Sequence, residues 1–244
     1  MYISKNYNQI FPEKIYNNKN YKKDFTFKNQ FFYKDLSKIT NKYLVSLNRK
    51  IDIGILKYIA KQELTTILSK PKGKILYIIT GIPGSGKSTF VRKFSFKKFY
   101  TPDADRIKCL LPEYGEKGAA HVHESSYIIN RINISEALER GVDCVIQTST
   151  TFDRINEMIK EASDLGYKNI NLIHIDITED EAIKRCIKRG EARGRTIDIE
   201  TIKTRKYLNN IVENYKNHNC GLNKIIVYDN NGSSFELKNA FILK

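Results

Sequence analysis

The 244-residue chain is poor in cysteine: Cys109, Cys144, Cys186 and Cys220 are its four, and they stand far apart. No two have metal-ligand spacing, which argues against a zinc module or a disulfide framework. Buried, reduced thiols of an intracellular protein are expected instead. No apolar run approaches the roughly 18 residues that a membrane span requires. The stretch MYISKNYNQIF has no apolar core and no small-residue cleavage site, so no secretory signal is expected and a cytoplasmic location is. No internal repeat is found. Acidic residues are also few, 27 Asp and Glu against 42 Lys and Arg, for a net charge of +15. The excess is uneven. Residues 1–70 hold 14 basic against 5 acidic side chains, leaving 28 against 22 in the rest. Part of it follows a bias toward Lys, Asn, Ile and Tyr along the whole chain. A basic surface suits any polyanionic ligand, so nucleic acid is admitted as a partner but not favoured.

An apolar fraction of 41% supports a sizeable core. Residues 1–30 show no period. Two helical patterns follow, FFYKDLSKITNKYLVSL and IGILKYIAKQELTTILS, the second with Ile55, Tyr58, Ile59, Ile67 and Leu68 as its apolar positions; Pro71 and Gly73 end it. Residues 1–73 are read as an N-terminal extension, irregular and then helical, packed on a main domain over 74–244. From Lys74 onward strands and helices alternate. Expected strands are KILYIIT, KKFYTPDAD, VDCVIQTST, NINLIHIDIT and NKIIVYDN. Expected helices begin at Lys87 and cover His121–Arg140, Phe152–Leu165, a segment opening at Thr178 with a Thr178/Glu181 capping box, and Ile199–Tyr215. Continuous apolar strands alternating with helices predict an α/β fold, a parallel sheet with helices on both faces. Ligands of such sheets lie at the carboxyl ends of the strands.

The segment Gly81–Ser88, GIPGSGKS, fits the phosphate-loop template G-x-x-x-x-G-K-[ST] between an expected strand and an expected helix. Gly81, Pro83, Gly84, Ser85, Gly86, Lys87, Ser88 and Thr89 are therefore the candidate nucleotide-binding residues. Lys87 would reach the β- and γ-phosphates of ATP or GTP, and the Ser88 hydroxyl would ligate Mg²⁺. The loop leaves motor, switch and kinase open.

Motor and switch enzymes usually end a strand in a metal-binding acid. The third expected strand ends in Gln147-Thr148-Ser149, and only Asp176, ending the fourth, could serve. The second ends TPDADRIK, which places Asp103 and Asp105 beside the loop. An Asp there can take the proton of a hydroxyl as it attacks the γ-phosphorus; capping of the following helix competes for Asp103. The segment IKRCIKRGEARGRT carries Arg185, Arg189, Arg193 and Arg195. Arg185 reads as a basic helix end favourable to the dipole, whereas Arg189 and Arg195 are candidates to stabilise charge on the transferred phosphoryl group. His121 and His123 do not share a helix face and have no further ligands in view, so pocket lining and a plain surface position are the alternatives for them.

GIPGSGKST, TPDADRIKCLLPEY and AAHVHESSYIINRINISEALERGVDCVIQTST together resemble the zeta toxin family of P-loop kinases over roughly residues 74–230. The resemblance implies a nucleotide-kinase-like fold and transfer of a γ-phosphate to a hydroxyl of a nucleotide-like small molecule, a UDP-sugar or NAD. It implies Asp105 as catalytic base, Lys87 and Ser88 as phosphate-loop Lys and metal ligand, and Arg189 and Arg195 as the triphosphate clamp. It places His123 and Glu124 on the helix bordering the acceptor pocket, with Asp103, Gln147 and Ser149 as further acceptor-side residues. An antitoxin-like protein is an implied partner. Where the family often ends its third strand in an acid followed by Gly-Thr, this chain has Gln147-Thr148-Ser149. Gln147 can hydrogen-bond but is no anionic acceptor, which weighs against UDP-N-acetylglucosamine. A polynucleotide 5′-kinase and a non-catalytic nucleotide-binding module are the alternatives.

Overall fold

The structure, a computed structural model, describes residues 53–111, 114, 122–193, 199–204, 208, 210–216 and 221–243. The expected helix over FFYKDLSKITNKYLVSL, His121 and Arg195 lie outside them. Among the described residues five strands form one sheet: β1 (Ile75–Thr80), β2 (Cys144–Thr148), β3 (Asn169–Asp176), β4 (Lys224–Asp229) and β5 (Glu236–Ile242), in the order β2-β1-β3-β4-β5. The first four are parallel, with β1 between β2 and β3; β5 runs antiparallel to β4. The helices are α1 (Ile53–Leu68), α2 (Lys87–Lys93), α3 (Ala104–Leu110), α4 (His123–Glu139), α5 (Phe152–Asp164), α6 (Glu179–Arg193), α7 (Ile199–Lys203) and α8 (Ile211–Lys216).

Successive side chains of a strand point to opposite faces, and both faces here are apolar. Leu76 and Ile78 of β1, with Leu172 of β3 and Ile146 of β2, pack on Ala137 and Leu138 of α4 and on α5. The apolar residues of α5, Ile155, Met158, Ile159 and Ala162, recur at helical spacing, so a single stripe is buried. Tyr77, Ile79, Val145 and Ile173 face the other way, toward Phe90 of α2, Phe96 and Phe99. Burial of one such side chain contributes about 1.5–3 kcal/mol. A third cluster joins α1 to α3 and α4 through Ile59, Ile107, Leu111, Val122 and Ile129.

Several boundaries follow local chemistry. Thr151 caps α5 by accepting from the Arg154 N–H (3.4 Å). Gly166, at φ +83°, ends it with bonds from its own N–H to Ser163 and from Tyr167 to Ala162. Four expectations are corrected. The second strand, KKFYTPDAD, shrinks to one bridge at Tyr100, which exchanges backbone bonds with Asp143 and Val145 at the outer edge of β2. A 3₁₀ turn at Phe96–Lys98 precedes it, and Pro102, with no N–H to donate, and the helix start at Ala104 follow within four residues. The Thr178/Glu181 capping box does not form. The Thr178 N–H donates to Asn231 Oδ1 (2.8 Å) and Glu181 pairs with Arg185 instead. The single helix over Ile199–Tyr215 is two short pieces, α7 and α8. Finally, β5 was not anticipated: its residues are mostly exposed and lack the apolar run that marks the inner strands.

Candidate functional site

All four parallel strands end on one side of the sheet, and the residues that follow them converge there. The loop after β1 is the phosphate loop. Its close approaches are made by glycine: a Cβ on Gly84, at φ +87°, would lie 2.5 Å from the Ala182 carbonyl of α6. Lys87 opens α2 and folds back over the loop, donating to the carbonyls of Gly81 (2.8 Å) and Ile82 (3.0 Å). Gly86 precedes α2 in the left-handed region, and no side chain caps that helix. Its amides and positive end therefore face the cleft, the arrangement that receives phosphate. Two more strand ends brace the loop. Ser149, after β2, donates its hydroxyl to the Gly81 carbonyl (2.8 Å). Asn230, after β4, donates its amide to the Ser85 carbonyl (2.7 Å). Asn230 is buried, and nothing in its sequence context singles it out.

A cleft of about 570 Å³ opens over this loop, a size that suits a nucleotide. Pro83, Gly84, Gly86, Lys87, Ser88 and Thr89 form its floor. Five cations reach its wall: Lys87, Arg92 and Lys93 from α2, Arg185 and Arg189 from α6. Among the described residues no carboxylate shares that wall, so the field of those side chains favours a polyanion. Gly232, Ser233 and Phe235, between β4 and β5, close one end; Phe235 packs edge-on to Phe90 and lies under Lys93. Arg185 differs from its expected place at a solvated helix end. It donates to Glu181 (2.8 Å) and to the Gly232 carbonyl (3.2 Å), and it lines the cleft. The physical reason is the Gly84–Ala182 contact, which lays this turn of α6 against the phosphate loop. Arg189, one turn on, lines the cleft too and approaches Cys186 Sγ (3.7 Å).

Asp103 is the N-cap of α3, accepting from the N–H groups of Asp105 (2.9 Å) and Arg106 (3.3 Å). Asp105 sits in the first turn, 3.1 Å from Lys108 Nζ, with its side chain 39% exposed. It is not part of the cleft wall that holds the cations. His123 is exposed at the start of α4, and Glu124 follows it in that helix. Gln147, half-buried, pairs in register with Ile79. Asp176 at the end of β3 accepts from Lys238 of β5 (2.6 Å), which holds the Lys238 ammonium above its usual range. The acid that a motor or switch reading needs is thus paired with a lysine. Beneath the loop, His174 Nδ1 lies 3.1 Å from the Thr80 hydroxyl. Burial pushes this imidazole down to about 4, against the pull of Asp176 and with the help of Lys87 and Lys238.

The residues present fit a magnesium ion only in part. Ser88 offers a hydroxyl at the cleft floor, and among the described residues no cluster of three His, Cys, Asp or Glu could hold a metal. Such an ion would be carried largely by the phosphates it accompanies.

The zeta toxin profile matches residues 60–239. The chain belongs to the zeta toxin family. It is a P-loop, ATP-binding kinase type of protein, and its likeness to nucleotide kinases agrees. It is 28% identical to adenylate kinase isoenzyme 1 of Sus scrofa over 145 residues, 55% of this chain and 74% of that one. It is 29% identical to adenylate kinase of Phocaeicola vulgatus over 142 residues, 52% and 75% of the two chains. Among solved structures, a chain of the PezAT chromosomal toxin–antitoxin system of Streptococcus pneumoniae shares the fold. Its TM-score is 0.61 at 15% identity, over 78% of this chain and 82% of that one. The AvrRxo1-ORF1:AvrRxo1-ORF2 complex, solved with sulphate and with ATP, shares it at TM-score 0.60 and 14% identity, over 77% and 66%. Among the described residues no helix is long and apolar enough to cross a membrane.

Proposed function

We propose that this zeta toxin family protein transfers the γ-phosphate of ATP, or of GTP, to a hydroxyl of a nucleotide-like small molecule, a UDP-sugar or an NAD-like compound. The observation that carries the reading is the cleft wall: a phosphate loop faced by Arg185 and Arg189 of one helix, with no carboxylate among the described lining residues. Lys87 leaves the loop carbonyls for the β- and γ-phosphates. Arg189, and Arg195 beyond it in sequence, stabilise charge on the transferred group. Ser88 would hold, by its hydroxyl, a Mg²⁺ that would supply neutralising charge to the phosphates. Asp105 accepts the proton of the attacking hydroxyl and orients its oxygen on phosphorus. Asp103 holds Asp105 by capping α3. Gln147, Ser149, His123 and Glu124 border the acceptor. Gln147, neutral, favours an acceptor that needs no anionic hydrogen-bond partner on its sugar. The PezAT and AvrRxo1-ORF1 structures are of toxin–antitoxin and ORF1:ORF2 complexes, which supports an antitoxin-like protein as partner.

The test is transfer of label from [γ-³²P]ATP to UDP-N-acetylglucosamine, NAD and a 5′-hydroxyl oligonucleotide, with Asp105→Ala alongside. Labelling of a sugar nucleotide or NAD, lost in Asp105→Ala while ATP still binds, is expected. Labelling of the oligonucleotide alone would replace this reading with a polynucleotide 5′-kinase. ATP binding without transfer to any acceptor would leave a nucleotide-binding module.

A further inference from the structure

Helix α1 buries an unexpected residue. Ile59, Glu63 and Ile67 stand four apart on one stripe, and Glu63, the charged one, is as fully buried as its apolar neighbours. A buried carboxylate is costly unless paired, and Glu63 has two partners from two other segments. Its Oε2 accepts from the Tyr100 hydroxyl at 2.7 Å. Its Oε1 meets the Arg106 guanidinium. Among the described residues, Tyr100 is the isolated bridge residue on the outer side of β2, four positions before α3. Arg106 is the neighbour of Asp105 in α3. Burial draws the Arg106 guanidinium below its usual value, although half of that side chain meets solvent. Helix α3 has only seven residues and cannot hold its place by its own hydrogen bonds. Its position rests on Ile107 in the α1–α3–α4 cluster, on the Asp103 cap, and on Arg106.

We propose that Glu63 is a positioning residue of the kinase site: through Tyr100 and Arg106 it fixes both ends of the Tyr100–Asp105 segment and so sets where the Asp105 carboxylate stands. The helix that precedes the phosphate-loop strand is then part of the acceptor side of the site. This rests on the reading of Asp105 as the acceptor-side base. It assigns Glu63 no contact with nucleotide.

Glu63→Gln keeps the shape and the Tyr100 bond and removes the charge that holds Arg106. Three measurements test it. Amide hydrogen exchange should rise over residues 103–111 and stay unchanged over 81–90. Turnover of the acceptor found in the labelling panel should fall about tenfold or more, since a small misplacement of a catalytic group is costly. Affinity for ATP, read by displacement of a fluorescent ATP analogue, should stay within about twofold. Arg106→Gln should reproduce the loss, and the double variant should be no worse than the poorer single one. Unchanged exchange over 103–111, or ATP affinity falling in step with turnover, overturns the proposal. If Glu63→Gln fails to fold, Arg106→Gln, altered at a half-exposed side chain, decides alone: normal exchange over 103–111 overturns it. Asp105→Asn separates the two readings. Full turnover in that variant removes Asp105 as base, while the exchange measurement still scores the Glu63 anchor independently.

Discussion

Replacing Gly84 by alanine tests the contact that brings α6 over the phosphate loop. Gly84 has φ +87°, and a Cβ there would lie 2.5 Å from the Ala182 carbonyl and 3.0 Å from Cys186 Sγ. The left-handed backbone costs an L-residue roughly 1–2 kcal/mol. The overlap is with a helix backbone, which no rotamer change relieves, and overpacking of that kind costs about 1–3 kcal/mol more. The sum, about 2–5 kcal/mol, corresponds to a fall in Tm of roughly 4–20 °C for a chain of this size. The strain is relieved by moving the loop off α6, which parts Lys87 from Arg185 and Arg189, so ATP affinity should fall by about tenfold or more. Gly232→Ala is the control. It lies in the same cleft, yet a Cβ there meets nothing within 4 Å. Thermal denaturation and calorimetric titration with a non-hydrolysable ATP analogue read both variants. If Gly84→Ala melts within about 1 °C of the parent and binds the analogue equally, the loop is not wedged against α6 and the electrostatic reading of the cleft loses its geometric basis.

Lys87→Ala should lose ATP affinity along with activity, because its ammonium is the group already poised over the loop carbonyls; equilibrium binding of a fluorescent ATP analogue checks this. ATP affinity should also fall as salt rises from 50 to 500 mM, since among the described residues five cations and no carboxylate line the cleft. Tyr100→Phe should destabilise the fold by about 1–3 kcal/mol in urea unfolding, as it strips a hydrogen bond from a buried carboxylate. His174 makes stability depend on pH. Its folded pKa, about 4, lies below the unfolded 6.5, so the unfolded chain binds more protons between those values. Stability should therefore be lost as pH falls through that window, by up to about 1.4 kcal/mol per pH unit, and His174→Asn should remove this slope in urea unfolding at pH 7, 6 and 5.

Periodicity carried much of the fold. The inner strands are continuous apolar runs because both of their faces are covered, and their positions in the sequence match those in the sheet. The phosphate loop was legible for a different reason: its chemistry is made by backbone, so its residue types are constrained within eight consecutive positions. The end of α5 was legible too: the expected helix stops at Leu165, and Gly166 follows at φ +83°. The same reasoning overextended the second strand, where Pro102 and the Asp103 cap interrupt a plausible run after Tyr100. It missed β5, whose exposed edge position demands no apolar pattern.

The amino-acid sequence by itself determined that this protein is an α/β, P-loop member of the zeta toxin family, because local hydrogen-bonding needs and burial write themselves into neighbouring residues. Only the tertiary structure decided which side chains share the cleft. Arg92 and Lys93 look like ordinary basic residues in the last turn of a short helix, and Arg185 looks like a solvated helix end, until the chain is folded. Asn230 stands 145 positions from the carbonyl it braces. Glu63 stands out in sequence only as a charge between apolar positions of its helix; the fold buries it against Tyr100 and Arg106. Such partners are chosen by the approach of separate elements, α6 on the loop and α1 on α3, and a contact between distant segments leaves no trace in the spacing of either.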